Sequence, residues 1–315
     1  MPASLQANHV VSHYYAPRGR KRMFDLGSRI AQLYLNPDDR LIGIMGSPGC
    51  GKSSLVKGMF PGLELTNDDE GVNIRPLPLL SIDEEFGFFS PHTYHVDIRF
   101  ETGFTQLSVL ADAIMAAVNK GKRVVVEHFE LVYPMLPINA NLLIGIGEDI
   151  IITRPGLFGP EPDSIIGEIQ ASLPYRLMAH SAEDLCEFCM DPADTARCSH
   201  GDVHHGFILS FPENPPAIDP AELERKVQAM IAQDLPITYK NENHITIGGD
   251  LHYCTGPRTH VNSTGKIRGF HLLPNYVYDR FQRKYLLVGC VGEDSEENLS
   301  KLEKMSLLEA SPYEM

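Results

Sequence analysis

Gly46-Ser-Pro-Gly-Cys-Gly-Lys52-Ser53 fits G-x-x-x-x-G-K-[ST], the pattern of a phosphate-binding loop, at every specified position. Its context fits too. Leu41-Ile-Gly-Ile-Met45 before it is a short apolar run, as a buried first strand requires. Ser54-Leu-Val-Lys-Gly-Met-Phe60 after it can begin a helix. A strand, a glycine turn and a helix N-terminus together form an anion site. Backbone N–H groups line the turn, and the helix dipole adds partial positive charge. Gly46, Gly49 and Gly51 permit positive φ and close approach of backbone to phosphate. The residues expected to contact nucleotide are Gly46, Ser47, Pro48, Gly49, Cys50, Gly51, Lys52, Ser53 and Ser54. Lys52 would reach the terminal phosphates of ATP or GTP, and the Ser53 hydroxyl would bind Mg²⁺.

A length of 315 residues suggests two domains. With 43% hydrophobic and 22% charged residues, the chain has the composition of a globular protein with a sizeable core. No apolar run reaches the ~18 residues of a membrane span. The N-terminus lacks the basic-then-apolar order of a signal peptide. These features predict a cytoplasmic protein without a membrane partner. In a reducing compartment the six cysteines suggest metal binding or free thiols rather than disulfides. A net charge of −14 argues against broad nucleic-acid binding. The basic cluster Arg18-Gly-Arg-Lys-Arg22 reads as a solvated segment before a helix, with a phosphate or RNA contact as the alternative.

Residues 1–38 read as an N-terminal arm and a helix over 23–35. Residues 39–170 read as the nucleotide-binding domain, and 171–315 as a second, α+β domain. Within the first, Leu63-Glu-Leu-Thr66 is a possible second strand, and 104–120 is an amphipathic helix ended by Gly121. Arg123-Val-Val-Val-Glu127, 141–147 and 149–153 are further strands. Strands alternating with helices behind such a loop imply an open, mostly parallel α/β sheet. In the second domain, helices are expected near 179–190 and 220–233, and strands near 206–210, 244–247, 266–272 and 285–291.

A P-loop enzyme also needs a carboxylate near Mg²⁺ at the end of a neighbouring strand. Glu127 is one candidate; Asp68 and Asp69, after the possible second strand, are others. At this point residues 40–155 resemble the uridine kinase branch of P-loop kinases. The resemblance implies Glu127 near the metal and Asp68 or Asp69 near an acceptor hydroxyl, with Lys52 completing the catalytic set. His92, His95, Asp97 and Arg99 could line the acceptor pocket. A strand there would put His95, Asp97 and Arg99 on one face, though a partly exposed strand explains the pattern almost as well. His128 follows Glu127 and could sit at the strand's rim.

The second domain holds Tyr253-Cys254-Thr-Gly-Pro-Arg-Thr-His260-Val-Asn-Ser-Thr264-Gly265, preceded far upstream by His180-Ser-Ala-Glu-Asp184. Residues 175–275 resemble the editing domain shared by threonyl- and alanyl-tRNA synthetases, whose metal is held by an H-x-x-x-H helix and a cysteine–histidine loop. The resemblance implies Zn²⁺ on His180, Asp184, Cys254 and His260. Asp184 stands where that family has its second histidine, and the loop carries two more residues than the family's Cys-x-x-x-His. One helical i, i+4 pair and one loop pair can close a tetrahedron. A rival set is Cys186, Cys189, Cys198 and His200, spaced as a zinc knuckle, with His204 and His205 as further candidates.

Three functions follow as expectations. The first is an ATP- or GTP-dependent phosphotransferase or NTPase, with a small-molecule acceptor, joined to an editing-like domain. The second is a nucleotide-switched binder of an amino acid, aminoacyl group or tRNA end. The third is a hydrolase of mischarged tRNA, against which the altered ligand set and the acidic charge weigh.

Overall fold

Leu41–Gly46, the strand before the glycine loop, is buried along its whole length, so it needs cover on both faces. In the computed structural model, which describes residues 11–66, 77–81, 92–157, 159–293 and 298–300, that cover comes from helices on each side. The described residues divide into two units. One holds residues up to 16 and 20–171; the other holds 17–19 and the residues from 172 onward.

The first unit is built from β1 (Val11–Tyr15), α1 (Arg20–Tyr34), β2 (Leu41–Gly46), α2 (Lys52–Met59), β3 (Thr93–Asp97), α3 (Ile98–Glu101), α4 (Leu107–Asn119), β4 (Arg123–Glu127), α5 (Phe129–Val132), β5 (Leu142–Ile146), β6 (Asp149–Thr153) and the first part of α6 (Pro162–Cys189). Its six strands lie in the order β1-β6-β5-β2-β4-β3. β2 pairs in parallel with β4 and β5, and β3 pairs in parallel with β4. β6 and β1 close one edge antiparallel. Side-chain alternation divides the core between the two faces. Leu41 and Met45 of β2 join Leu110 and Ile114 of α4 and Ile165 and Ile169 of α6. Ile42 and Ile44 join Met23 and Ile30 of α1 and Leu55 and Val56 of α2.

The second unit contains the rest of α6, α7 (Pro192–Thr195), β7 (Ser199–Val203), β8 (Gly206–Pro212), α8 (Pro220–Ala232), β9 (Ile237–Asn241), β10 (His244–Ile247), β11 (Asp250–Tyr253), β12 (His271–Leu272), β13 (Val277–Asp279) and β14 (Lys284–Cys290). β12-β14-β8-β7 form one antiparallel sheet, with β13 also paired to β14, and β11-β10-β9 form another. Asp219 caps α8, accepting from the N–H groups of Ala221 and Glu222. Leu185, Cys186, Phe207, Phe211, Leu223 and Ile245 share one core. Among the described residues no helix is long and apolar enough to cross a membrane.

Several expectations need correction. Residues 63–66 form no strand, and 266–272 contribute β12 alone, because a 3-10 turn at Thr264–Lys266 occupies the start of that segment. The helix expected near 179–190 is the end of the longer α6. Residues 11–34, read as an arm and a helix apart from the sheet, supply its edge strand and a covering helix. Arg18 is not solvated. It is 5% exposed, and its Nε lies 2.8 Å from Asp202 Oδ1 and 3.4 Å from Glu183 Oε2.

α1 and α2 touch where both are smallest. A Cβ on Gly58 would fall 2.1 Å from the Phe24 carbonyl oxygen, which is backbone and cannot swing aside. Gly58→Ala is therefore expected to destabilise the protein by about 1–3 kcal/mol, the usual penalty for overpacking. Urea unfolding checks it, and wild-type stability in the variant would rule out this helix contact.

Candidate functional site

The glycine loop begins where β2 ends. Gly46, Gly49 and Gly51 have φ of 147°, 79° and 103°, a region that side chains oppose, so the loop can turn tightly into α2. Lys52, the first residue of α2, is buried and folds back over the loop. Its Nζ donates to the carbonyls of Gly46 (3.0 Å) and Ser47 (3.1 Å). Ser53 Oγ donates to Glu127 Oε1 at 3.1 Å. The parallel pairing of β2 with β4 brings Glu127 level with Ile44, beside the loop.

Glu127 has a second partner. The N–H of Thr66 donates to His95 Nδ1 at 3.1 Å, so Nδ1 is the acceptor nitrogen. Nε2 then carries the hydrogen and donates to Glu127 Oε1 at 3.2 Å. Burial alone would raise the Glu127 carboxyl. The hydrogen bond from His95, the Lys52 ammonium and the Ser53 hydroxyl outweigh it and hold the carboxyl below the ordinary carboxylate range. The result is a buried carboxylate beside a lysine and a serine at the mouth of a helix.

The other acceptor-pocket candidates take separate roles. β3 is buried rather than partly exposed from Tyr94 onward. Arg99 is not on its face but in α3, where Asp97 caps the helix by accepting from the Phe100 N–H. His128 is buried in a left-handed conformation, φ 57°, with Nδ1 3.2 Å from Glu130 Oε1. His128, Glu130 and Arg99 line a cavity of about 300 Å³ that also touches Gly46, Ser47 and Pro48. Ile146, Ile166 and Ile169 give it an apolar wall. Asp68 and Asp69 lie outside the described residues.

In the second unit His180, Asp184, Cys254 and His260 converge, with one ligand atom each within 4.8 Å of all the others. Cys254 Sγ is 3.5 Å from His180 Nε2 and 3.8 Å from His260 Nε2. Asp184 Oδ2 is 2.9 Å from His260 Nε2, and Oδ1 is 3.8 Å from His180 Nε2. Ligands at about 2.0–2.3 Å around a tetrahedral Zn²⁺ stand about 3.3–3.8 Å apart. Three of these four gaps fit that range, and the shorter Asp184–His260 gap is a hydrogen bond that an ion would replace. The donor chemistry agrees. Burial, with His260 second, pushes the His180 imidazole well below its ordinary value, and its Nδ1 is bound to the Thr259 carbonyl at 3.0 Å. Nε2 is left as a lone pair facing the cluster. Burial would raise Asp184, but His180 and His260 outweigh it and hold the carboxylate ionised. Burial, followed by Asp184, pushes the Cys254 thiol up; a bound cation would favour the thiolate instead.

The loop is held against α6. Val261 N–H donates to Ser181 Oγ at 3.0 Å, and a Cβ on Gly256 would strike the Arg18 carbonyl at 2.0 Å. The knuckle set does not assemble. Cys186 is fully buried in the core, and Cys189 Sγ packs 3.5 Å from Met230 Sδ. Cys198 and His200 meet Glu187 instead. His95, expected in an acceptor pocket, instead supports Glu127, while Glu187 and His252 belong to no motif of the sequence. For Glu187 a signal existed, since residues 180, 184 and 187 form one i, i+4, i+7 stripe on a helix.

Because Glu127 is held below its ordinary value of 4.5, it contributes stability that is fully present above that value and lost as pH falls through the lowered one. Glu127→Gln is expected to lose more stability at about pH 7 than at about pH 3, by urea unfolding at each pH. A loss independent of pH would remove the charge-based account.

No family model matches the chain, and no curated protein matches it. A solved structure described as the crystal structure of Bacillus subtilus YdiB is similar at 19% identity, covering 52% of this chain and 98% of that one. Its TM-score of 0.30 is too low to bear on the fold.

Proposed function

We propose that the chain binds ATP or GTP with Mg²⁺ through Gly46–Ser54 and uses it as a kinase-like phosphotransferase or NTPase, joined to an editing-like unit that holds Zn²⁺ on His180, Asp184, Cys254 and His260. The observation that carries the reading is Lys52 folded over the glycine loop beside the hydrogen-bonded chain Ser53–Glu127–His95. Lys52 already lies over the loop, so phosphate oxygens can take the place of its two carbonyl acceptors. Ser53 and Glu127 are the oxygen donors for Mg²⁺, which would neutralise charge on the transferred phosphoryl group. His95 keeps the Glu127 carboxylate oriented toward Ser53. The cavity beside Gly46 supports an acceptor-using enzyme over a nucleotide switch, because it offers His128, Glu130 and Arg99 to a small molecule next to the loop. The lining by Ile146, Ile166 and Ile169 favours an acceptor with one apolar face.

Lys52→Ala is expected to weaken nucleotide binding at least tenfold in a calorimetric titration, since the Lys52 ammonium is the cation folded over the loop. Glu127→Gln is expected to bind nucleotide almost as well but turn over roughly 10²-fold more slowly. Nucleotide affinity unchanged in a folded Lys52→Ala protein would refute the site. Turnover is screened over nucleosides, amino acids and tRNA. Its absence with every acceptor and with water would favour the switch.

Cys254→Ser is expected to lose the metal by elemental analysis and to lower the unfolding temperature, as structural zinc contributes directly to folding. Metal kept in Cys254→Ser but lost on changing Cys186 and Cys189 would move the site to the knuckle.

A further inference from the structure

Asp184 and Glu187 stand three residues apart on α6, on the stripe that also presents His180. Asp184 turns Oδ1 toward His180 and Oδ2 toward His260. Glu187 is held at Oε1 by Cys198, whose Sγ donates at 3.3 Å, and by His200. Its other oxygen, Oε2, faces His252 of β11.

His252 is where the arrangement is incomplete. Its side chain is 13% exposed, and its Nε2 is buried with no hydrogen-bond partner. That atom lies 4.0 Å from Asp184 Oδ2 and 3.9 Å from Glu187 Oε2. Both distances exceed a hydrogen bond, which ends near about 3.2 Å. A buried nitrogen aimed between two carboxylates and bonded to neither calls for an explanation. A cation with bonds of about 2.0–2.2 Å spans such gaps when it sits between its donors. Asp184, Glu187 and His252 offer donor atoms that all lie within 4.8 Å of one another.

We propose a second divalent-cation site on Asp184, Glu187 and His252, sharing the Asp184 carboxylate with the His180–Cys254–His260 cluster. The inference rests on the zinc reading above. The two donor sets differ in chemistry. The first includes a thiolate and suits Zn²⁺; the second has two carboxylates and an imidazole and suits a borderline cation such as Zn²⁺, Mn²⁺ or Co²⁺. One carboxylate bridging two ions is the arrangement of two-metal centres, with ions about 3.5–4 Å apart. The neighbouring trio Glu187, Cys198 and His200 is less suited, because His200 Nε2 and Cys198 Sγ already close on Glu187 Oε1. These two bonds position Glu187 for His252.

The test is Co²⁺ titration of the metal-stripped full chain, followed by absorption and by elemental analysis. Wild type is expected to take up two equivalents. His252→Asn and Glu187→Gln should each take up one, with the thiolate-to-cobalt charge-transfer band of Cys254 unchanged. One equivalent in wild type, abolished by Cys254→Ser, would overturn the second site and leave the first standing. Two equivalents retained in both variants would also overturn it. No uptake by wild type would overturn both sites. Should one of the two variants fail to fold by circular dichroism, the other decides, and one equivalent in wild type overturns the site in either case.

Discussion

Burial of β2 on both faces is the constraint from which the first unit follows. A strand with no exposed residue must find neighbouring strands to satisfy its backbone and helices to cover each side. β4 and β5 supply the first, and α1, α2, α4 and the start of α6 supply the second. The loop that leaves such a strand emerges at the carboxyl edge of the sheet, the edge where open α/β sheets bind ligands. Glu127 ends at the same edge because β4 runs parallel to β2; an antiparallel β4 would have sent it to the opposite end. The carboxylate beside Ser53 is thus a consequence of strand direction.

In the second unit the governing problem is buried charge. His180, Glu183 and Asp184 are buried on α6, and Arg18 is buried with them. Arg18 meets Asp202 and Glu183 and donates to the Gly206 carbonyl at 3.0 Å. Burial still pushes Glu183 up to about 7, against the pull of Arg18. Removing one partner from such a set costs about 3–5 kcal/mol, whereas losing a helix cap costs about 1 kcal/mol. Charge compensation therefore decides the arrangement around this stretch of α6 more than helix capping does. It also explains why Pro17–Gly19 clusters with the second unit although its chain neighbours belong to the first.

Local pattern carried far where backbone demands are local. The loop Gly46–Ser53, its preceding strand and its following helix were legible because glycine spacing and an apolar run act on neighbouring residues. The i, i+4 pair His180 and Asp184 was legible for the same reason, as was the α8 helix behind its Asp219 cap. The link between Cys254 and α6 was legible through the resemblance of two distant segments to one metal-binding order. Residues 63–66 and 266–272 misled because short apolar runs do not reveal whether a neighbouring strand is present to pair with them.

Composition, glycine spacing and helical periodicity by themselves pointed to a glycine turn between a buried strand and a helix on an α/β scaffold, followed by a cysteine- and histidine-bearing α+β unit. Only the tertiary structure decided which side chains meet. It set His95 against Glu127, placed Cys186 in the core rather than in a metal cluster, and buried Arg18 beside Asp202. The physical reason is that these contacts join residues 32 to 184 positions apart. Strand direction, pairing register and the meeting of apolar faces fix such contacts, and none of these is written in the spacing of residues along a single segment.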